Sequence, residues 1–161
     1  MTIKTLVATG LLAAGIASLA GTAGAAAPEA LNRSSYAEFV AVVFNQGDVA
    51  AADRFLEARL VDHAPWPGFP ADVAGFKAGL GEMRKSFPDL HVVVERTVAE
   101  GDMLAAHLRL SGTQLGPFMG KPASGKTFDV EAIDIVRMSN GRIAEHWGLI
   151  DTTAMAERLG M

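Results

Sequence analysis

The chain has 161 residues, no cysteine, and 14 basic against 18 acidic side chains, which gives a formal net charge of −4 at pH 7. The missing cysteines exclude a disulfide scaffold, thiolate metal sites and cysteine nucleophiles. The mildly acidic balance, without basic runs, argues against nucleic acid or anionic lipid as a partner.

The N-terminus predicts an export signal. Lys4 precedes an uncharged apolar run of about 15 residues, which is shorter than the ~20 residues a membrane-spanning helix needs. Ala23 and Ala25 then supply the small residues of a signal-peptidase site. We therefore expect a cleaved signal peptide over residues 1–25, a periplasmic or secreted location, and no membrane contact after cleavage. One domain is expected over residues 33–160.

Three helices are predicted before the first strand. Ser35 and Glu38 have the spacing of a capping box, so we expect the first helix to begin there. Asp48 can cap a second, short helix over residues 49–60, and Pro65, Trp66 and their neighbours over residues 62–72 form a loop rich in proline. The third helix should run from Asp72 to about residue 87, because its apolar residues recur at spacings of three and four.

From residue 90 the apolar period changes to two, which predicts strands. They are expected at residues 90–98, 104–110, 127–138 and 142–150, with a final helical turn at residues 152–159. The order predicts an α+β domain in which the helices cover one face of an antiparallel sheet.

The turn at Ser139-Asn140-Gly141 leaves two registers open for the last hairpin. A two-residue turn would pair Ser139 with Arg142 and set Asp134 opposite Trp147. A three-residue turn would pair Met138 with Arg142 and set Asp134 opposite His146. The second register is preferred because it keeps the apolar side chains of both strands on one face.

Several stretches, in this order, resemble the SnoaL-like polyketide cyclase family: "FNQGD", "VDHAPWPG", "SFPDL", "AEGD", "SGTQLGPFMGKPASGK" and "IDIVRMSNGRIAEHWGLID". The resemblance covers nearly all of residues 36–160. It implies a cone, in which a curved antiparallel sheet has three N-terminal helices over its concave face around an apolar pocket. It also implies a homodimer formed through the sheet.

The preferred register brings Asp134 and His146 together, and we expect them to act as a catalytic dyad. A carboxylate beside an imidazole raises its basicity and fixes its tautomer, which would make His146 a general base near neutral pH. The competing interpretation is a buried pair that only locks two strands. His63, which the resemblance places at the pocket rim, could donate to a substrate carbonyl or could bond to the backbone.

Other positions complete the predicted site. Substrate-binding side chains are expected at Trp66, Phe69, Phe118, Met119 and Phe44, as lining or lid. No metal is expected, because the histidines fall on separate elements without a ligand motif. No cofactor is expected either, and no Gly-rich phosphate motif lies at a strand-to-helix turn.

Three positions depart from the cyclases of this family. By the resemblance, Gly148 stands where they carry an acid/base aspartate, Gln114 where a histidine is frequent, and Asp134 where a pocket histidine lies. Asp151 is expected to cap the last helical turn, with a catalytic role as the alternative.

Two functions remain open at this point. The first is a small exported enzyme, free of cofactors, that performs acid/base chemistry on an apolar carbonyl- or ester-containing molecule. The second is a non-catalytic extracytoplasmic binder that carries a hydrophobic small molecule in the same cone.

Overall fold

The computed structural model describes residues 28–161, and the predicted signal peptide lies outside them. The helices are α1 (Pro28–Phe39), continued by a π-helix (Val40–Asn45), a 3-10 turn (Val49–Ala51) leading into α2 (Ala52–Phe55), α3 (Val73–Ser86) and α4 (Thr152–Leu159). The strands are β1 (Leu56–Asp62), β2 (His91–Glu100), β3 (Met103–Thr113), β4 (Thr127–Ser139) and β5 (Arg142–Ile150).

The five strands form one open sheet in the order β1-β5-β4-β3-β2. Neighbours are antiparallel except for β1, which runs parallel to β5 at the edge. The α+β class is therefore confirmed, but the expected antiparallel sheet is a mixed one. Residues 56–60, predicted as helix, belong to β1: Glu57, Ala58 and Arg59 favour helix locally, and pairing with β5 overrides that preference.

The first helix begins earlier than the capping box predicted. It already includes Pro28, the first described residue, so Ser35 lies in its interior and its hydroxyl donates to the Gly141 carbonyl instead of capping. Asn32 donates to the Gly101 carbonyl from the same helix. These contacts fix α1 against both the β2–β3 and the β4–β5 turns.

The third helix follows the prediction closely. Its N-cap Asp72 accepts a hydrogen bond from the Gly75 amide, and Phe76, Leu80 and Met83 are buried on its inner stripe. A side chain at position 75 would collide with the Pro70 carbonyl oxygen, 1.8 Å from an ideal Cβ, so glycine lets the preceding loop lie against the helix. The loop and α3 are thereby held together at the edge where β1 ends.

The last hairpin combines features of both expected registers. Asn140 and Gly141 have φ of +50° and +75°, and Ser139 pairs with Arg142, as in a two-residue turn. A bulge at residue 144 then shifts the ladder by one residue, because Met138 pairs with Ile143 and Arg137 with Glu145. His146 consequently returns to the face of Asp134, as preferred, although Asp134 lies opposite Gly148 and not opposite His146.

The core lies between the helices and one sheet face. Side chains of β3 and β4 alternate strictly there, with Leu104, Ala106, Leu108, Ala132 and Val136 buried. None of the helices in residues 28–161 is long and apolar enough to cross a membrane.

Candidate active site

Four polar side chains meet on the inner face where β1, β5, β4 and α1 come together. His146 Nδ1 lies 2.8 Å from Asp62 Oδ1, and its Nε2 lies 3.5 Å from Asp134 Oδ1. The Tyr36 hydroxyl donates to Asp134 Oδ2 at 2.7 Å. The expected proximity of Asp134 and His146 is therefore present, within a larger chain of contacts.

The side chains of this group differ in how far they are exposed to solvent. The Asp62 side chain is 2% exposed, whereas those of His146 and Asp134 are 21% and 19% exposed. Tyr36 is buried. The His146 and Asp134 side chains are therefore partly open to solvent, while Asp62 and Tyr36 are enclosed.

The electrostatics favour a positively charged His146. Burial lowers the pKa of the imidazole, but its contacts with Asp134 and Asp62 outweigh burial and raise the pKa from 6.5 to about 9. Burial also raises the pKa of Asp62, and the hydrogen bonds from His146 and the Ala64 amide outweigh it, so the net shift is downward. At neutral pH the pair is an imidazolium and a carboxylate.

Tyr36 remains a phenol over the same range. Burial, together with the neighbouring Asp134 charge, holds its pKa well above the ordinary value. The phenol can therefore only donate to Asp134, which leaves Oδ1 of that carboxylate directed at His146.

Gly148 provides the space in which these groups meet. An ideal Cβ at this position would lie 2.9 Å from His146 Nε2 and 3.3 Å from Asp134 Oδ1. Any side chain here would displace the imidazole or the carboxylate. The glycine that replaces the expected acid of a cyclase is thus a requirement of the arrangement that Asp134 and His146 form.

His63 is not brought to this site. It follows β1 on the opposite face, where Nε2 lies 2.7 Å from Glu145 Oε1 and its ring stacks on Trp147 at 4.7 Å. Its backbone amide donates to the His146 carbonyl, but its side chain contacts β5 only on the outer face. Because consecutive strand residues point to opposite faces, Asp62 takes the inner position that His63 was expected to hold.

The predicted aromatic lining is divided among three places. Phe44 contacts Phe39 and Phe76 ring to ring, in an aromatic cluster that fills the interior beside Tyr36. Trp66 lies against Gly79 of α3, where an added Cβ would come within 2.2 Å of its ring. The turn formed by Trp66 and Phe69 is closed by a backbone hydrogen bond.

Phe118 and Met119 lie far from the dyad. Phe118 packs on Phe87, which packs on Phe128. Phe128 is six residues before Asp134 on β4, a distance of roughly 20 Å along a strand. Met119 is exposed at the tip of a small turn, so neither side chain acts as lining for Asp134 and His146.

Gln114 and Asp151 have structural contacts. Gln114 is buried; its amide donates to the Pro122 carbonyl and its oxygen accepts from the Ser124 hydroxyl, which fixes the long β3–β4 loop. Asp151 accepts from the Ala154 amide as the N-cap of α4, as predicted.

Two surface clefts lie away from the dyad. One, of about 560 Å³, is lined by Asp53, Asp72 and Lys77, and the other, of about 350 Å³, by Leu31, Asn32 and Asn140. The polar residues of the first are engaged in an ion pair and a helix cap, so neither cleft has the converging groups of the Asp134 site. Within residues 28–161, no group of three His, Asp or Glu side chains is arranged to hold a metal.

Tyr36 and Asp62 were missed by sequence reasoning. Asp62 falls at the start of the predicted loop, because the segment before it favours helix. Tyr36 falls inside the predicted capping box, which does not indicate an inward-facing residue. The sequence offers no alternation that would mark Asp62 as inward, because apolar Val61 is exposed and Asp62 is buried.

Known proteins share the fold of this chain. The family described as SnoaL-like polyketide cyclase matches residues 34–159. TsrD from Streptomyces laurentii is 30% identical, with 83% of this chain and 98% of that one covered and a TM-score of 0.75. IdmH from Streptomyces antibioticus, a candidate polyketide cyclase, is 29% identical, with 81% and 99% covered and a TM-score of 0.72.

AclR from Streptomyces galilaeus, a candidate hydroxylase, shares the fold at 24% identity, with 82% of this chain and 97% of that one covered and a TM-score of 0.73. No curated protein matches the chain. Family and neighbours together support a cyclase- or isomerase-type enzyme. The chain belongs to the SnoaL-like polyketide cyclase family.

Proposed function

We propose that the protein moves a proton on a neutral, apolar small molecule that carries a carbonyl or ester group beside a C–H bond. The observation that carries this proposal is the contact of 3.5 Å between Asp134 Oδ1 and His146 Nε2, two partly exposed side chains, over the space left by Gly148. A carbonyl oxygen and the adjacent carbon are about 2.4 Å apart, from the usual bond lengths. A base and an acid this close together can therefore address both atoms of one keto unit.

The roles follow from charge. His146 with a pKa of about 9 is an imidazolium at neutral pH, so it serves as the acid and not as the expected base. Asp134 is the base: its Oδ1 takes the proton from carbon, and the C–H electrons move to the carbonyl oxygen. His146 Nε2–H donates to that oxygen as negative charge develops on it.

The enol or enolate formed in this step has two outcomes. Return of the proton from Asp134 to a different carbon gives isomerisation. Attack of the carbon on a second carbonyl of the same molecule, whose oxygen then takes up the proton from Asp134, gives cyclisation. Both outcomes use protein groups alone and consume no cofactor.

The charge of the site selects against acids. Asp62 and Asp134 surround one imidazolium, so an anionic substrate would add a further negative charge to a partly buried group that is already net negative. Neutral ketones, esters and lactones avoid this repulsion.

The proposal includes a homodimer through the outer sheet face. Ile133 pairs with Leu149 and Ile135 with Trp147 across β4 and β5. Ile133 is 42% exposed, Leu149 73% and Ile135 39%. Adjacent apolar side chains of this kind are typical of a surface that another protein covers. A second copy would bury them.

A panel of neutral ketones, β-keto esters and lactones in deuterated buffer at pH 7 tests the chemistry, with deuterium incorporation followed by NMR. Enzyme-dependent exchange should fall by about 100-fold or more in Asp134→Asn and in His146→Gln, as expected for loss of a general acid or base. Asp129→Asn, an exposed carboxylate on the outer face of β4, is the matched control and should keep full exchange. Exchange that is equal in all four proteins would refute the proposal, and specific binding of the probe without exchange would favour the hydrophobic-ligand carrier.

A further inference from the structure

We infer, resting on the proposed function, that Asp62 is a positioning residue, which fixes His146 as the proton donor with Nε2–H turned toward Asp134 and the substrate. Asp62 itself touches neither Asp134 nor the exposed side of the site. Its role is exerted through the imidazole.

The backbone places Asp62 for this task. It is the last residue of β1 and the direct ladder partner of His146 in the parallel β1–β5 pair. Its Oδ1 accepts from the Ala64 amide at 3.0 Å and lies 2.8 Å from His146 Nδ1. A carboxylate anchored to its own chain and 2% exposed cannot turn away, so the imidazole plane is fixed on that side.

The charges around His146 decide which nitrogen acts. Asp62 from β1 faces Nδ1, and Asp134 from β4, itself bonded to Tyr36 of α1, faces Nε2. The side chains of His63 and Glu145, which adjoin Asp62 and His146 along the chain, point to the other face. Nδ1–H is committed to a hydrogen bond with Asp62. Nε2–H, at 3.5 Å from Asp134, is beyond a normal hydrogen bond and remains available to a substrate oxygen.

The outer face offers an internal comparison. His63 and Glu145 form a second histidine–carboxylate pair of the same kind, at 2.7 Å, one residue along each strand from the inner pair. The inner pair differs by its burial and by the second carboxylate. Any effect of Asp62 on His146 can therefore be compared with that of Glu145 on His63 in the same protein.

The test is an NMR titration of the histidines in the full-length protein, without substrate, for the wild type, Asp62→Asn and Glu145→Gln. In Asp62→Asn the His146 midpoint should fall from about 9 by one unit or more, because one of two carboxylates is lost. In Glu145→Gln the His146 midpoint should stay in place. An Asp62→Asn variant whose His146 midpoint equals that of the wild type would refute the inference.

Activity gives the second readout with the probe found above. In Asp62→Asn the decline of the exchange rate at alkaline pH should shift to lower pH, together with the His146 midpoint. At pH values well below that midpoint, the exchange rate should recover toward that of the wild type. A uniform loss at every pH together with a lower melting temperature would mean that Asp62 only supports the fold. Failure of exchange in every protein, with the midpoint shift still present, would refute the proposed function and leave the role of Asp62 in fixing the imidazolium standing.

Discussion

Gly148→Ala tests whether the approach of His146 to Asp134 depends on the space above this glycine. An alanine Cβ would lie 2.9 Å from Nε2 and 3.0 Å from Cε1 of His146, whereas ordinary contacts begin at 3.4 Å. The imidazole must therefore move by about 0.5 Å or more, and Asp62 restrains it on the other side. The contact with Asp134 is the one that gives way.

The consequences for rate and stability differ. A misplacement of about 1 Å can lower a rate by about 100-fold, so half of that predicts a loss of roughly tenfold in deuterium exchange. Alanine also reduces the freedom of the unfolded chain, by up to about 1 kcal/mol, which offsets part of an overpacking penalty of about 1–3 kcal/mol. The free energy of unfolding should therefore change by no more than about 2 kcal/mol.

Deuterium exchange, chemical denaturation and the His146 titration midpoint measure these effects together. Gly81→Ala is the control, because nothing lies within 4 Å of a Cβ at that position of α3. It should stabilise the protein by roughly 0.5–1 kcal/mol and leave exchange unchanged. A Gly148→Ala variant with wild-type exchange and an unmoved midpoint would refute the reasoning.

Two further predictions concern stability and assembly. Because the pKa of His146 is raised in the folded protein, its stabilising contribution is fully present below about pH 6.5 and is lost as pH rises through about 9. Denaturation should show that the free energy of unfolding falls by at most about 3 kcal/mol over this pH range in the wild type and not in His146→Gln. An equal fall in both proteins would contradict the prediction. Light scattering should show that Leu149→Lys converts the dimer to a monomer. Met119→Lys changes a similarly exposed side chain on the β3–β4 loop and should leave the mass unchanged. A monomeric wild type would contradict the assembly.

The elements that could be predicted are those whose ends are marked by capping residues, prolines or glycines. The third helix has a capping aspartate before it and Pro88 after it, and β2 to β5 alternate between apolar and polar residues with glycine turns between them. The sequence carries these signals without reference to the rest of the fold. The α+β class followed from their order.

The first strand could not be predicted in the same way. Its segment contains Glu57, Ala58, Arg59 and Leu60, which favour helix, and it is a strand because β5 offers a parallel edge. This pairing depends on residues more than 80 positions apart, as in Asp62 and His146. The partner on Nδ1 of His146 was missed for that reason.

The bulge at residue 144 explains why the register was only partly predicted. Asn140-Gly141 favours the two-residue turn, and the apolar pattern favours His146 on the inner face. The two demands conflict in a regular ladder, and one extra residue on β5 satisfies both. The sequence therefore allowed the prediction that His146 and Asp134 share a face of the sheet, but not the prediction of which residues lie opposite them.

The pH dependence of deuterium exchange tests most directly whether His146 acts as an acid beside Asp134. With the rate of His146→Gln subtracted, exchange should stay on a plateau from neutral pH to about 9 and decline above it, as the imidazolium loses its proton. Exchange that instead increases through about pH 6.5 would show that the neutral imidazole is the working base, and would contradict the assignment of Asp134 as base and His146 as acid.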